Sequence, residues 1–194
     1  MLLLVLGLIL FLGAHLVPTL RGYRDGLLKQ LGENGYKGLF SLVSLLGLVL
    51  IIWGFAHRDY VPIWSPPGFM KHITFLLMLP VFILLAAAYI PSNIHTLAKH
   101  PMLLAIKLWA FAHLLVNGDL AGILLFGSFL AYAVVDRISV KRRAALGPLG
   151  TRQGGIGGDI AAVVIGLAVY AFMLLYGHQW LIGIPLLSSV AIAS

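Results

Sequence analysis

The stretch that decides the fold is LLLVLGLILFLGAHLVPTL, residues 2–20. A helix needs about 20 mainly apolar residues to cross a bilayer, and this run is nearly that long. It lacks the basic start and the small-residue cleavage site of a secretory signal peptide, so it predicts a retained helix. Further apolar runs lie at 39–56, 73–90, 102–116, 120–135 and 160–176. The pattern predicts an all-α integral membrane helical bundle of about six transmembrane helices, with residues 1–194 as a single domain.

The composition points the same way. Of the 194 residues, 61% are hydrophobic and only 10% are charged, whereas soluble domains average roughly 25% charged residues. The net charge of +7 suits loops beside a membrane better than a nucleic-acid surface, so we expect the lipid bilayer as a partner and no nucleic acid. The chain has no cysteine, which excludes disulfides, iron–sulfur clusters and covalent c-type haem.

Three segments fit the span pattern less well. The runs at 102–116 and 120–135 are short, and we expect them to extend into flanking polar residues or to lie inside the bundle. The tail at 180–193 is shorter still and contains Pro185. It is interpreted as an interfacial segment, with a seventh span as the alternative.

Lysine and arginine predict the orientation. The first predicted loop carries four basic residues and the fifth carries five, whereas the second carries two and the fourth none. Because basic loops stay in the cytoplasm, the odd loops should face inward and both termini outward. The basic residues of the two richest loops are Arg21, Arg24, Lys29 and Lys37, then Arg137, Lys141, Arg142, Arg143 and Arg152.

Two local features concern the helices themselves. Pro80 lies within the third run and predicts a kink, because proline removes a backbone donor. Asn117-Gly118-Asp119 separates the fourth and fifth runs. This tripeptide predicts a tight turn between helices, with Gly118 in the left-handed conformation and Asp119 capping the next helix.

Histidines are the candidate ligands. Five of the seven lie near span ends and are interpreted as interfacial residues: His57, His72, His95, His100 and His178. His15 and His113 lie inside apolar runs, where an ionisable group is a functional candidate by default. A structural role and a ligand role are both open for each. As two histidines on different helices, they fit axial ligation of a non-covalent haem.

Depth in the membrane argues against that pair. His15 lies in the cytoplasmic half of its span and His113 in the outer half, an offset on the order of 10 Å at 1.5 Å per residue. A tilted helix, or a haem lying flat to the membrane, would reconcile them. His57 and His72 match the depth of His113 better. Trp109, one turn before His113, would flank its ligand.

Several motifs resemble the NnrU family of bacterial membrane proteins. They include Gly13-Ala14-His15 followed by Pro18, and Trp64-Ser65-Pro66-Pro67. The most specific stretch is LWAFAHLLVNGD at residues 108–119. The resemblance implies a bacterial inner-membrane location and a link with nitrite and nitric oxide metabolism in denitrification, with nitric oxide or a membrane reductase as a partner.

The family is also related to zeta-carotene isomerase, a membrane enzyme that uses haem b. Its haem ligands align with His15 and His113, so the resemblance implies iron ligation by this pair. Arg21 is then a candidate partner for a haem carboxylate, and Trp109 a candidate cofactor-binding residue. The isomerase has a cysteine where this chain has Ala110, so ligand switching by cysteine does not carry over.

The leading interpretation is therefore a haem-b-binding inner-membrane protein of nitrogen-oxide metabolism. One alternative is a haem-dependent cis–trans isomerase of an apolar polyene. The other is a membrane scaffold or methyltransferase-like protein without haem, based on a weaker likeness at Lys99-His100-Pro101. For that tripeptide the structural interpretation, a proline starting a helix, is favoured.

Overall fold

The computed structural model describes residues 1–145, 147, 149–150, 152 and 154–187, and in these ranges the chain is helical, without β-strands. The helices are α1 (Leu2–Leu16), α2 (Arg21–Ala56), α3 (Met70–Ala87), α4 (Asn93–Ala98), α5 (Pro101–Leu114), α6 (Leu120–Arg143), α7 (Ile156–Phe172) and α8 (His178–Ile182). A 3-10 turn, Val17–Thr19, extends α1, and a π turn, Met173–Gly177, joins α7 to α8. The predicted all-α class is confirmed.

Five segments of the described chain are long and apolar enough to cross a membrane: Leu2–Thr19, Arg21–Ala56, Met70–Ala87, Leu120–Arg143 and Ile156–Ile182. The remaining predicted span, the fourth apolar run at 102–116, corresponds to α5, which is apolar but has only 14 residues. Large apolar side chains on these helices face outward, including Leu42 at 66% and Leu76 at 71% exposure. The protein is therefore a multi-pass membrane protein whose outer surface contacts the lipid bilayer.

Helix α2 differs from the sequence prediction. The sequence predicts a loop at residues 21–38, but they are helical except at Gly32, and residues 33–38 belong to the same helix as the second span. Arginine and lysine are good helix formers, so a basic segment can extend an apolar helix. Only Gly32 interrupts α2, with φ 69° and ψ 172°. This conformation favours glycine, and it divides α2 into an initial basic segment and a long apolar segment.

The other boundaries follow the predictions more closely. The fifth run does extend into polar residues, since α6 continues through the basic residues to Arg143. Helix α3 continues through Pro80, whose predicted kink stays a prediction. In the tail, α8 ends at Ile182, and residues 188–193 of the predicted interfacial segment lie outside the described residues.

The chain divides into two compact units. The first comprises Met1–Gly68 and His113–Ala145. Within it, α1 and α2 approach closely at glycines: a Cβ on Gly7 would lie 2.6 Å from the Ile51 nitrogen, and one on Gly47 would lie 2.7 Å from the Phe11 nitrogen. Such close backbone contact is typical of transmembrane helix pairs.

The second unit comprises Phe69–Ala112 and the described residues after 145. Here α3 packs on α7, and the Tyr170 hydroxyl donates a 3.1 Å hydrogen bond to the Phe75 carbonyl. The Asp159 carboxylate, in the first turn of α7, accepts from the Ile94 backbone nitrogen at 2.9 Å and from the Asn93 side chain at 2.6 Å. Asp159 thereby satisfies the N-terminus of α4.

Candidate functional site

His15 lies in the last turn of α1, with its ring held from three sides. It stacks on Phe11 at a centroid distance of 4.3 Å, lies 5.0 Å from the Phe40 ring and meets the edge of Tyr132 at 6.1 Å. Its Nδ1 lies 2.7 Å from the Phe11 carbonyl oxygen. Because a carbonyl only accepts, Nδ1 donates this hydrogen bond, and Nε2 is the nitrogen left for a metal. The half-buried His15 is thus oriented as metal-ligating histidines commonly are.

His113 lies in the last turn of α5 and is also half-buried. Its ring stacks on Phe126 of α6, with centroids 4.7 Å apart and an interplanar angle of 27°. Its carbonyl oxygen accepts a 2.8 Å hydrogen bond from the Asn117 side-chain amide. The same carbonyl also accepts from the backbone nitrogens of Val116 and Asn117, so the end of α5 is closed by three hydrogen bonds to one acceptor.

Both predicted ligands contact aromatic rings of α6, within the first unit. Phe126, Phe129 and Tyr132 are spaced three residues apart, so consecutive rings are neighbours, while Phe126 and Tyr132 are about 120° apart around the helix axis. Phe126 contacts His113, Tyr132 contacts His15, and Phe129, between them, lies 5.7 Å from Phe11. The two contact points are separated by six residues, or about 9 Å along the axis. This separation agrees with the offset expected from the sequence.

The described residues contain no group of three or more histidine, cysteine or acidic side chains able to hold a metal ion. That excludes from these residues a structural zinc site of the usual four protein ligands. Haem iron needs only one or two protein ligands. The donor set of this site therefore fits a haem better than a bare ion.

A polar cavity of about 540 Å³ borders the His15 pocket. We call it the arginine cavity, and its lining residues are Pro18, Arg21, Arg24, Asp25, Tyr36, Phe40, Arg143 and Ala145. Phe40 belongs to both places, since it also contacts His15. The structure therefore brings Arg21, predicted as a haem-carboxylate partner, into a cavity next to His15.

Side chains of α6 connect His15 to this cavity. The Tyr132 hydroxyl donates to Asp136 Oδ2 over 3.4 Å, and Asp136 Oδ1 lies 3.5 Å from Arg143 Nη2. Arg143 also donates to the Pro18 carbonyl at 3.2 Å. The order along α6 is therefore Phe126 beside His113, then Tyr132 beside His15, then Arg143 in the arginine cavity.

Sequence reasoning missed a buried ion pair in the first unit. Arg58 Nε donates to Asp119 Oδ2 at 3.1 Å, and the Asp119 side chain is 4% exposed. Arg58 also lies over the Phe55 ring at 3.7 Å, a cation–π arrangement. Phe55 in turn meets the edge of Phe126. The ion pair is thus linked through aromatic rings to the residue on which His113 stacks.

The Asn117-Gly118-Asp119 turn confirms one prediction and corrects another. Asp119 caps α6, accepting from the Gly122 backbone nitrogen at 3.3 Å. The left-handed conformation expected for Gly118 is wrong, because its φ is not positive. Glycine is needed there for space: an added Cβ would collide with the Trp64 carbonyl oxygen. The Gly118 carbonyl also accepts from the backbone nitrogens of Ile63 and Trp64.

The remaining histidines and Trp109 have separate environments. His95 lies near a span end but is only 6% exposed, and its Nδ1 donates to the Ala87 carbonyl at 3.0 Å. His57 is exposed and bonds the Trp53 carbonyl, while His72 is exposed. Trp109 packs against the apolar cluster of the second unit. Its proposed contact with a cofactor stays a prediction.

A comparison with protein-family models finds a match along almost the whole chain. The family model described as NnrU protein matches residues 3–186. No curated protein and no solved structure gives a significant match.

Proposed function

The chain belongs to the NnrU family, and on that premise we propose that it is a haem-b-binding protein of the bacterial inner membrane that serves nitrite and nitric oxide metabolism. The observation that carries this proposal is the half-buried position of His15 among the rings of Phe11, Phe40 and Tyr132, which the exposed His57 lacks although its Nδ1 makes the same kind of bond. A histidine whose Nδ1 is bonded to a carbonyl, with Nε2 left to coordinate, is the usual arrangement of a metal-ligating imidazole. His15 has this arrangement inside an apolar helix, where a histidine without a role is costly.

His113 is the proposed second ligand. The two histidines contact residues of α6 that lie about 9 Å apart along its axis. Between those residues, Phe11 and Phe129 lie 5.7 Å apart and would supply apolar surface to the haem.

The chain's own residues limit how the group is held. Without cysteine there is no thioether attachment, so the haem would be a b-type haem held by ligation and apolar contact. When bound, haem supplies one-electron chemistry and a site for diatomic gases. His15 would orient the iron through its Nε2, while Phe11, Phe40 and Tyr132 would hold the imidazole in place.

The number of histidine ligands on the haem iron decides what the protein does with nitric oxide. Two histidine ligands leave no open position, which favours electron transfer, for example to a membrane reductase. One histidine leaves a position for nitric oxide, which favours binding or sensing. The proposal is tested on protein purified from haem-replete cells, by acid–acetone extraction and by carbon monoxide addition to the reduced protein.

We expect extractable haem b and a reduced spectrum that resists carbon monoxide. Rapid carbon monoxide binding would support the haem but contradict the proposed second histidine ligand. Folded protein that yields no extractable haem would overturn the proposal itself.

A further inference from the structure

The arginine cavity has a surplus of positive charge. Arg24 lies 3.5 Å from Asp25, and Arg143 lies 3.5 Å from Asp136. Arg21 forms no ion pair with any residue that the structure describes. The cavity and its partners thus leave one positive charge unbalanced, in a site of about 540 Å³. An occupant with one negative charge would balance it.

Tyr36 adds a second, independent observation. Its hydroxyl is buried and has no hydrogen-bond partner among the described residues. Tyr36 lines the arginine cavity and also an adjoining cavity of about 520 Å³, together with Arg24 and Lys37. Arg24 lies 6.0 Å above the Tyr36 ring. A buried polar group without a partner is costly and calls for an explanation, such as a ligand that accepts its proton.

The helical segment that borders the cavity has the composition of a helix that lies at a bilayer surface. The first segment of α2, residues 21–31, ends at the break at Gly32. Beside its arginines stand exposed apolar side chains, with Leu20 60% and Tyr23 61% exposed. A short helix that carries basic and apolar residues together lies in the interface between headgroups and acyl chains. The residues beside the cavity thus have the composition of a segment at the bilayer surface.

We propose that the arginine cavity binds the phosphate of an anionic phospholipid. A phosphodiester carries one negative charge, which matches the surplus. Arginine binds phosphate oxygens with two parallel hydrogen bonds. A small movement of the Tyr36 ring, whose hydroxyl is buried at the cavity wall, would let it donate a third. Basic pockets between transmembrane helices are known sites for anionic headgroups. The exposed Leu20 and Tyr23 side chains would contact the acyl chains.

A haem carboxylate is the rival occupant, because Phe40 both contacts His15 and lines the cavity. The order along α6 favours the lipid. Arg143, which lines the cavity, follows Tyr132 by about 16 Å along the axis and is farther still from Phe126, beside His113. This proposal therefore gives Arg21 a phosphate partner in place of a haem carboxylate, and it goes beyond the proposed function.

The test is native mass spectrometry of detergent-purified protein titrated with phosphatidylglycerol or phosphatidylcholine. Wild type should prefer phosphatidylglycerol. The double variant Arg21→Gln/Arg24→Gln should bind it about tenfold or more weakly, since a charged hydrogen bond contributes about 1.5–3 kcal/mol and 1.4 kcal/mol is tenfold. Tyr36→Phe, which keeps the ring, should show a smaller loss. His15→Ala should retain full lipid binding, whatever happens to haem.

The matched control is Lys141→Gln/Arg142→Gln, which removes the same charge from exposed residues of α6 that do not line the cavity. It should keep the preference for phosphatidylglycerol. An equal loss in both double variants would mean general surface attraction and would overturn the proposal. Displacement of lipid by millimolar inorganic phosphate would indicate a soluble phosphate site instead. Loss of haem with unchanged lipid binding in Arg21→Gln/Arg24→Gln would overturn the proposal and identify a haem carboxylate as the occupant of the cavity.

Discussion

Arg58 Nε lies 3.1 Å from Asp119 Oδ2, and this contact joins the second residue after α2 to the N-cap residue of α6. The arginine side chain is 21% exposed, but the aspartate side chain is only 4% exposed. Asp119 serves two partners, because it also accepts from the Gly122 nitrogen. A buried carboxylate with these two bonds holds its surroundings firmly. Its partner Arg58 lies over Phe55, whose ring meets the edge of Phe126, on which His113 stacks.

Asp119→Asn is expected to destabilise the protein by about 1–3 kcal/mol. Asparagine keeps an oxygen that can cap α6, so on the cap alone the change would cost little. It removes the charge opposite Arg58, however, and leaves that guanidinium without its partner. The measurement is thermal unfolding in detergent, with Arg58→Leu and the double variant completing a mutant cycle. Additive losses in that cycle would show that the pair contributes nothing.

Gly118→Ala should destabilise the turn between α5 and α6. An alanine Cβ would collide with the Trp64 carbonyl oxygen and lie 3.0 Å from Pro66, so the backbone must move, at a cost of about 1–3 kcal/mol. Gly127→Ala is the control, since nothing lies within 4 Å of its added Cβ. Both variants are compared by folded yield and melting temperature. Equal behaviour of the two would mean that the approach of Trp64 is not tight.

Gly47→Ala should separate α1 from α2. The added carbon would lie 2.7 Å from the Phe11 nitrogen, and Phe11 also stacks on His15. The substitution should therefore lower the melting temperature and weaken any property that depends on His15. Gly38→Ala, on the same helix with open space around it, should do neither. A stable Gly47→Ala protein would show that the helix pair is loosely packed.

The orientation predicted from basic residues places the end of α6 in the cytoplasm and both termini outside. A reporter fused after Arg143 should then be active as a cytoplasmic fusion, and one fused at the C-terminus as a periplasmic fusion. The 14-residue α5 is tested by comparing this C-terminal fusion with a reporter at the N-terminus. If α5 does not cross the membrane, the number of crossings is odd and the two termini will lie on opposite sides.

The sequence predicted what depends on local pattern. Apolar runs located the spans, and Asp119 before a helical run predicted its N-cap. The Arg58–Asp119 pair could not be found this way, since its partners are 61 residues apart and only packing brings them together. Gly118 shows the same limit: a turn was predicted, but the carbonyl that excludes a Cβ belongs to the distant Trp64.

The hydrogen bond of His15, in contrast, is local, because in a helix the carbonyl four residues earlier lies one turn away on nearly the same side. The Nδ1 bond to Phe11 was therefore within reach of sequence reasoning. The neighbours of the ring, Phe40 and Tyr132, required the fold. The break at Gly32 had a signal in the glycine itself, but the basic residues before it were equally compatible with a loop.

The central claim is that His15 and His113 hold a haem. The most direct measurement is the visible spectrum of purified wild type and of four single variants: His15→Ala, His113→Ala, His57→Ala and His72→Ala. We predict low-spin haem b bands in wild type, loss of haem or conversion to a high-spin spectrum in the first two variants, and unchanged spectra in the last two, whose histidines are exposed. Haem retained in His15→Ala and His113→Ala but lost in His57→Ala or His72→Ala would contradict the ligand assignment, and well-folded wild type without haem from haem-replete cells would contradict the claim altogether.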